Sequence, residues 1–305
     1  MNKAKIINGK KIADQIRQEV ADQVAKLNIQ PCLAVLLIGN DPASHLYVSI
    51  KKKAAEQCGI QICLYNFDEI ADEDEILETI SFLNKDEEVD AILVQLPLPE
   101  KFDEDAIISA IDPKKDVDGF HPENIKKILS SKAEIFSPLN MGILQLLTAT
   151  GENLQDKTAI IIARSKEFTQ TLTHVLEDFG VKTIIINPYN QKDDAALSLP
   201  AAGSLSRQAT SPLKANPPLG LTFNSDIIIS AVGKPNWIHA NNIKQGSILI
   251  DVGTARVQDK TLGDFDFDSC AKKASWITPV PGGVGPMTVA MLLKNTLLLA
   301  RKNGK

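Results

Sequence analysis

Short apolar runs recur along this chain, each bounded by turn residues and followed by a stretch of helical periodicity. They read CLAVLLIG at 32–39, AILVQLP at 91–97, AIIIA at 159–163, VKTIIIN at 181–187, SDIIISAVG at 225–233 and SILIDVG at 247–253. A strand that is apolar on nearly every residue must be covered on both faces, which is the situation of a parallel sheet packed between helices. The intervening segments supply those helices. Residues 9–27 place Ile12, Ile16, Val20 and Val24 four apart. Residues 41–60 open with Asp41-Pro42 and close at Gly59, the expected helix punctuation. Further helical segments are expected at 73–84, 141–149, 166–179 and 286–302. Alternation of this kind predicts an α/β fold. A chain of 305 residues is long for one core, and the pattern restarts near residue 140. Two domains are therefore expected: 1–140 with a returning C-terminal helix at 284–305, and 141–283. Residues 188–224 break the rhythm with five prolines and many small polar residues, and read as an irregular insertion.

Composition narrows the function. Apolar residues make up 44% and charged residues 23%, as in a globular enzyme. Lys and Arg number 33 against 38 Asp and Glu, the wrong balance for a nucleic-acid binder. No run is long and unbroken enough to span a membrane, and the N-terminus has no signal-peptide core. Cys32, Cys58, Cys63 and Cys270 have no CxxC spacing and are expected reduced and mostly buried, in the cytoplasm. His45, His121, His174 and His239 are scattered without metal-ligand spacing, and read as surface or loop residues.

Four stretches could carry chemistry. In YVSIKKK (47–53), Tyr47 and Lys51 share a helix face, either to hold a flat substrate beside an amine or as the edge of a solvated basic face. Gln95 in QLPLP follows a buried strand, so it sits where open α/β sheets bind ligands, or merely begins a proline turn. In PKKDVDGFHP (113–122), Asp116 and Asp118 could accept hydrogen bonds from a substrate or form an Asx turn; the spacing does not extend to a calcium loop. TPVPGGVGPMT (278–288) has the glycines that let backbone N–H groups face a ligand.

These stretches occur together and in order: DPASHLYVSIKKK, AILVQLPLP, KDVDGFHP, SAVGKP, IDVG and ITPVPGGVGPMTVAMLL. Over nearly the whole chain they resemble the methylenetetrahydrofolate dehydrogenase/cyclohydrolase family, the bifunctional FolD proteins. The resemblance implies an N-terminal three-layer α/β folate domain and a C-terminal Rossmann-like doubly wound domain. It implies oxidation of methylenetetrahydrofolate by NADP and hydrolysis of the methenyl product to 10-formyltetrahydrofolate, in a homodimer. Carried over by motif position, Lys51 is the central catalytic residue, Gln95 hydrogen-bonds it, and Asp118 grips the pterin. Tyr47 stacks on the aminobenzoyl ring, and Pro281, Gly282 and Gly285 line the folate pocket. Ala163, Arg164, Ser165 and Thr254 fall at cofactor positions.

The cofactor side departs from the family pattern. Ala163-Arg164-Ser165 stands where the family has Gly-Arg-Ser, and Phe168-Thr169-Gln170-Thr171 stands for Val-Gly-x-Pro. Ile186-Asn187-Pro188 replaces Cys-His-Ser, and Pro138-Leu139-Asn140-Met141 replaces Pro-Cys-Thr-Pro. A Cβ at 163 and a branched side chain at 169 crowd backbone meant to approach phosphate, so weakened NADP binding is expected. Cofactor preference stays open between NADP, NAD and none. The alternatives are a cyclohydrolase that has lost its redox half and a non-catalytic folate-binding paralogue.

Overall fold

The structure is a computed structural model describing residues 3–188, 208–210, 222–258 and 260–304. It divides into two compact units, Ala13–Pro138 with Thr288–Lys305, and Met1–Ile12 with Leu139–Met287.

In the first of these units three parallel strands lie in the order Gln61–Phe67, Cys32–Ile38, Ala91–Val94. The central strand is buried at every residue, and its alternation feeds two cores. Leu33, Val35 and Leu37 pack on one side with Val20, Val24, Val48 and Ala55. Ala34, Leu36 and Ile38 pack on the other with Ile76, Ile80, Leu83 and Ile107. Helices Pro42–Gln57 and Glu73–Lys85 supply much of this cover. The strand at 91 stops at Val94, earlier than expected, because the two prolines that follow Gln95 cannot continue a ladder.

The long helix Val284–Lys302 brings Val289, Leu292, Leu293, Leu297 and Leu299 into the first core. Its apolar run is broken by Asn295, which is itself buried. The Asn295 amide donates to the carbonyls of Val117 and Phe136, both at 2.9 Å. Asn295→Ala leaves those carbonyls without their donor and is expected to lower stability by about 1–3 kcal/mol. Urea unfolding checks this; a change below about 0.5 kcal/mol would show that the carbonyls find other partners.

The second unit holds a seven-stranded, all-parallel sheet. Its spatial order is Lys5–Ile6, Trp276–Ile277, Ile248–Asp251, Ile227–Ala231, Thr158–Ala163, Lys182–Asn187, Gln208–Thr210. Counted from Thr158–Ala163, six of these strands follow the dinucleotide-binding order 3-2-1-4-5-6. The order reverses between Thr158–Ala163 and Ile227–Ala231, so the crevice of the sheet opens at their carboxyl ends.

Two features correct the sequence reading. The first residues of the chain belong here, with Lys5–Ile6 extending the sheet edge beside Trp276–Ile277. Within 188–224, expected to be irregular, Gln208–Thr210 forms a strand parallel to Lys182–Asn187 and fills the third position. Residues 189–207 and 211–221 of that segment lie outside the described residues.

Candidate active site

The helix Pro42–Gln57 is built to aim Lys51 inward. Asp41 caps it, its carboxylate accepting from the Ser44 N–H and hydroxyl at 2.8 Å, and Pro42 fills the first position. Ser44, Val48 and Ala55 are buried and, with Lys51, fall on one stripe at spacings of four, three and four. Lys51 therefore lies on the packed face, half-buried, while Lys52 and Lys53 are exposed. The basic run is not a uniform solvated face.

Gln95 meets it from the sheet. The strand Ala91–Val94 ends directly before it, and its N–H donates to the Leu36 carbonyl at 2.9 Å. Its side-chain NH2 donates to the Leu96 carbonyl at 2.7 Å, which turns Oε1 toward the lysine. Lys51 Nζ donates to Gln95 Oε1 at 2.8 Å. Burial pushes the Lys51 amine below its ordinary range, and the negative charge of Asp118 partly offsets this.

Asp118 arrives on a braced loop. The Ile92 N–H donates to the Lys115 carbonyl at 2.7 Å, which pins the loop to the strand beside Gln95. Asp116 is buried and accepts from the Gly119 and His121 N–H groups at 3.0 and 2.8 Å and from the Asn124 amide at 2.9 Å. Gly119 has φ +70°, and a Cβ there would crowd the Ser137 backbone nitrogen at 3.3 Å. Asn295 holds the carbonyl of Val117, the residue before Asp118. Of the two aspartates read from the sequence, Asp116 thus makes the turn and Asp118 faces the site. Asp118 accepts no hydrogen bond among the described residues, and burial raises its pKa to about 6 despite the pull of Lys51.

His121 departs from expectation. It is buried, its Nδ1 accepts from the Glu123 N–H at 3.1 Å, and its Nε2 lies 3.2 Å from the Ser109 carbonyl. It caps the helix Pro122–Leu129 and completes the loop that carries Asp118. Asn124 and Asn295 were not anticipated either. Asn295 left a signal, a lone amide inside an apolar helix, because a buried polar group must find partners. Cys32 and Cys63, unpaired in sequence spacing, lie side by side with sulfurs 3.3 Å apart, and all four cysteines are free thiols.

Tyr47 stands one turn before Lys51 and is 41% exposed, which leaves its ring accessible. Pro281, Gly282 and Gly285 belong to the other unit. Gly282 takes φ +104° after Pro281, its carbonyl accepts from the Lys10 N–H at 2.9 Å, and Gly285 has open space where a Cβ would stand.

In that other unit, Ala163 ends its strand buried, and Arg164 and Ser165 form the whole connection to the helix Lys166–Glu177. No residue of this connection is left-handed. Ser165 caps the helix, its hydroxyl accepting from the Phe168 N–H at 3.1 Å and donating to Glu167 at 3.1 Å. Thr169 turns away from the loop; it is buried and donates to the Lys166 carbonyl at 3.0 Å. Arg164, Ser165 and Lys166 are exposed around the helix N-terminus, as is Thr254 after its own strand. Arg164, Lys166 and the helix N-terminus are the kind of groups that suit a phosphate-bearing dinucleotide, with the Glu167 carboxylate opposing them.

Fold and site together define a two-unit α/β enzyme, one unit carrying a lysine held by an amide near a carboxylate, the other a dinucleotide-type sheet. The chain belongs to the tetrahydrofolate dehydrogenase/cyclohydrolase family. Residues 7–118 match the family's catalytic domain and 213–304 its NAD(P)-binding domain. The bifunctional protein FolD of Agathobacter rectalis is 41% identical, covering 96% of this chain and 97% of its own length. The crystal structure of the bifunctional methylenetetrahydrofolate dehydrogenase/cyclohydrolase FolD from Campylobacter jejuni is 35% identical, with a TM-score of 0.84 over 98% of this chain and 99% of that one. The Trypanosoma brucei enzyme, solved with NADP cofactor and inhibitor, is 29% identical, with a TM-score of 0.84 over 99% of each chain.

Proposed function

We propose that this protein interconverts one-carbon tetrahydrofolates. It oxidises 5,10-methylenetetrahydrofolate to the methenyl compound with NADP and hydrolyses that compound to 10-formyltetrahydrofolate. The observation that carries this reading is the 2.8 Å contact between Lys51 and Gln95, with the amine's pKa lowered by burial. The family membership gives the substrate its identity, and the sheet order supports the dinucleotide.

NADP, when bound, would accept the hydride, with Arg164, Ser165 and Thr254 as the residues that hold it. The chain's own contribution centres on Lys51. The methenyl substrate carries a delocalised positive charge, which disfavours a protonated amine beside it. A neutral amine has two hydrogens and one lone pair. One hydrogen goes to Gln95 Oε1, and the lone pair is then oriented to take a proton from attacking water. Asp118 accepts from the pterin and Tyr47 stacks on the aminobenzoyl ring. Pro281, Gly282 and Gly285 provide further folate contacts.

The protein acts as a cytoplasmic homodimer. Leu46 and Ile50 on the outer stripe of their helix and Leu64 on the edge strand Gln61–Phe67 are exposed, apolar surface that a second copy would cover. No helix among the described residues is long and apolar enough to cross a membrane.

Two absorbance assays test the function. Loss of methenyltetrahydrofolate is followed without cofactor, and methylenetetrahydrofolate oxidation is followed with NADP⁺ and separately with NAD⁺. Both reactions are expected, with NADP⁺ the better acceptor. Hydrolysis alone would leave a cyclohydrolase without its redox half; neither reaction would leave a folate-binding paralogue.

A further inference from the structure

Asp251 and Asp264 are the acidic residues most deeply enclosed at the carboxyl ends of the dinucleotide-type sheet. Both are buried, and among the described residues neither has an ion-pair partner. A buried carboxylate with no counter-ion is costly unless backbone and side-chain donors surround it. Donors do surround these two.

Asp264 accepts from the Ser230 hydroxyl and the Val232 N–H at 2.7 Å, and from the Lys234 N–H at 2.8 Å. Asp251 accepts from the Asp264 and Phe265 N–H groups at 3.0 Å. The Asp251 N–H in turn donates to the Thr278 hydroxyl at 2.7 Å. Val252 and Gly253 N–H groups donate to the Ser230 carbonyl at 2.8 and 3.1 Å. Segments that follow three neighbouring strands are thereby tied together.

The glycines confirm how tightly the carboxylates are seated. A Cβ on Gly253 would lie 2.1 Å from Asp264 Oδ1, and one on Gly263 would lie 2.1 Å from Asp251 Oδ2. Neither position admits a side chain while the carboxylates stay in place. Gly253 directly precedes exposed Thr254, and Val232 and Lys234 flank left-handed Gly233.

We propose that Asp251 and Asp264 are positioning residues for the dinucleotide, a buried carboxylate clamp that sets the loops 232–234 and 252–254 at the carboxyl ends of adjacent strands. The proposal rests on the dinucleotide reading above and assigns the pair no contact with the reacting atoms. Burial raises the Asp251 carboxyl to about 8, with the neighbouring Asp264 adding to the rise.

Asp264→Asn tests the clamp. An amide keeps one acceptor and turns an NH2 group toward an N–H or hydroxyl that now donates to it. Calorimetric titration of the full-length protein with NADP⁺ is expected to show a Kd raised about tenfold or more, from loss of charge-assisted bonds. KM for NADP⁺ is expected to rise in step while kcat at saturating NADP⁺ changes far less. Cofactor-free hydrolysis of methenyltetrahydrofolate, which uses Lys51 in the other unit, is expected to stay within about twofold. Ser230→Ala removes a single donor and is expected to weaken NADP⁺ about threefold, and it decides the matter if Asp264→Asn does not fold. Unchanged NADP⁺ affinity in the variants overturns the clamp. So does an equal loss of binding and hydrolysis, which would mark a purely structural role. A wild-type protein that binds no NADP⁺ but still hydrolyses the methenyl compound would remove the dinucleotide reading itself.

Discussion

Lys51→Met is expected to lower methenyltetrahydrofolate hydrolysis by about 10²–10⁴-fold, the usual contribution of a positioned general base. Methionine keeps most of the side chain's length and apolar body, so the stripe of Ser44, Val48 and Ala55 should pack as before. What disappears is the amine that donates to Gln95 Oε1 and the lone pair that takes the proton. The loss should fall on kcat, because the lysine acts on water in the transition state, with KM for folate changing little. Steady-state hydrolysis without cofactor measures this directly. Near-normal turnover would remove Lys51 from the mechanism and leave the 2.8 Å contact as a structural bond.

Asp118→Asn is expected to act on binding, raising KM for the folate substrate about 10- to 100-fold, the worth of one hydrogen bond to a charged acceptor. Its pH dependence separates this from general damage. In the wild type the Asp118 carboxyl is raised to about 6. Above that pH it is ionised and accepts from the pterin; below it the proton removes an acceptor, so KM rises as pH falls. The variant should show a high KM with no such dependence between about pH 5 and 8. The same substitution removes the negative charge that holds the lysine amine up, so the acid limb of kcat should move to lower pH. KM and kcat are thus expected to respond to opposite consequences of one change. A variant whose KM keeps the wild-type dependence near pH 6 would show that another group binds the pterin.

Much of this site was legible before any coordinates, and the reasons differ by residue. Helix punctuation at Asp41-Pro42 and Gly59 put Tyr47 and Lys51 on one face but left a solvated basic face open, and it was the family resemblance that singled out Lys51. Gln95 could be placed because a short apolar strand ending in prolines delivers the next side chain to the sheet's carboxyl edge. Spacing offered Asp118 only as one of a pair, and the family resemblance was what named it over Asp116. That choice is made by Asn124, His121 and the Gly119 backbone, which together claim Asp116.

Asn295 and the Asp251–Asp264 clamp stayed hidden for a different reason. Asn295 reaches Val117 across 178 residues of chain, and Asp264 reaches Ser230 across 34. Local periodicity carries no information about such contacts. The strand Gln208–Thr210 was missed because its segment is rich in proline and small polar residues, and three residues of ladder leave no pattern. On the cofactor side the missing glycine at 163 was visible, yet the sequence could not show that Thr169 would turn back into its own helix.

The central claim is that burial lowers the Lys51 pKa, so that the amine, seated against Gln95, acts in its neutral form. Lysine side chains labelled with ¹³C at Cε report their own ionisation by NMR, and Lys51→Met assigns the signal. One lysine is expected to titrate well below the others and to lose that signal in the variant. If Lys51 instead titrates at its ordinary value of 10.5, its amine is charged throughout the working range and cannot serve as the base.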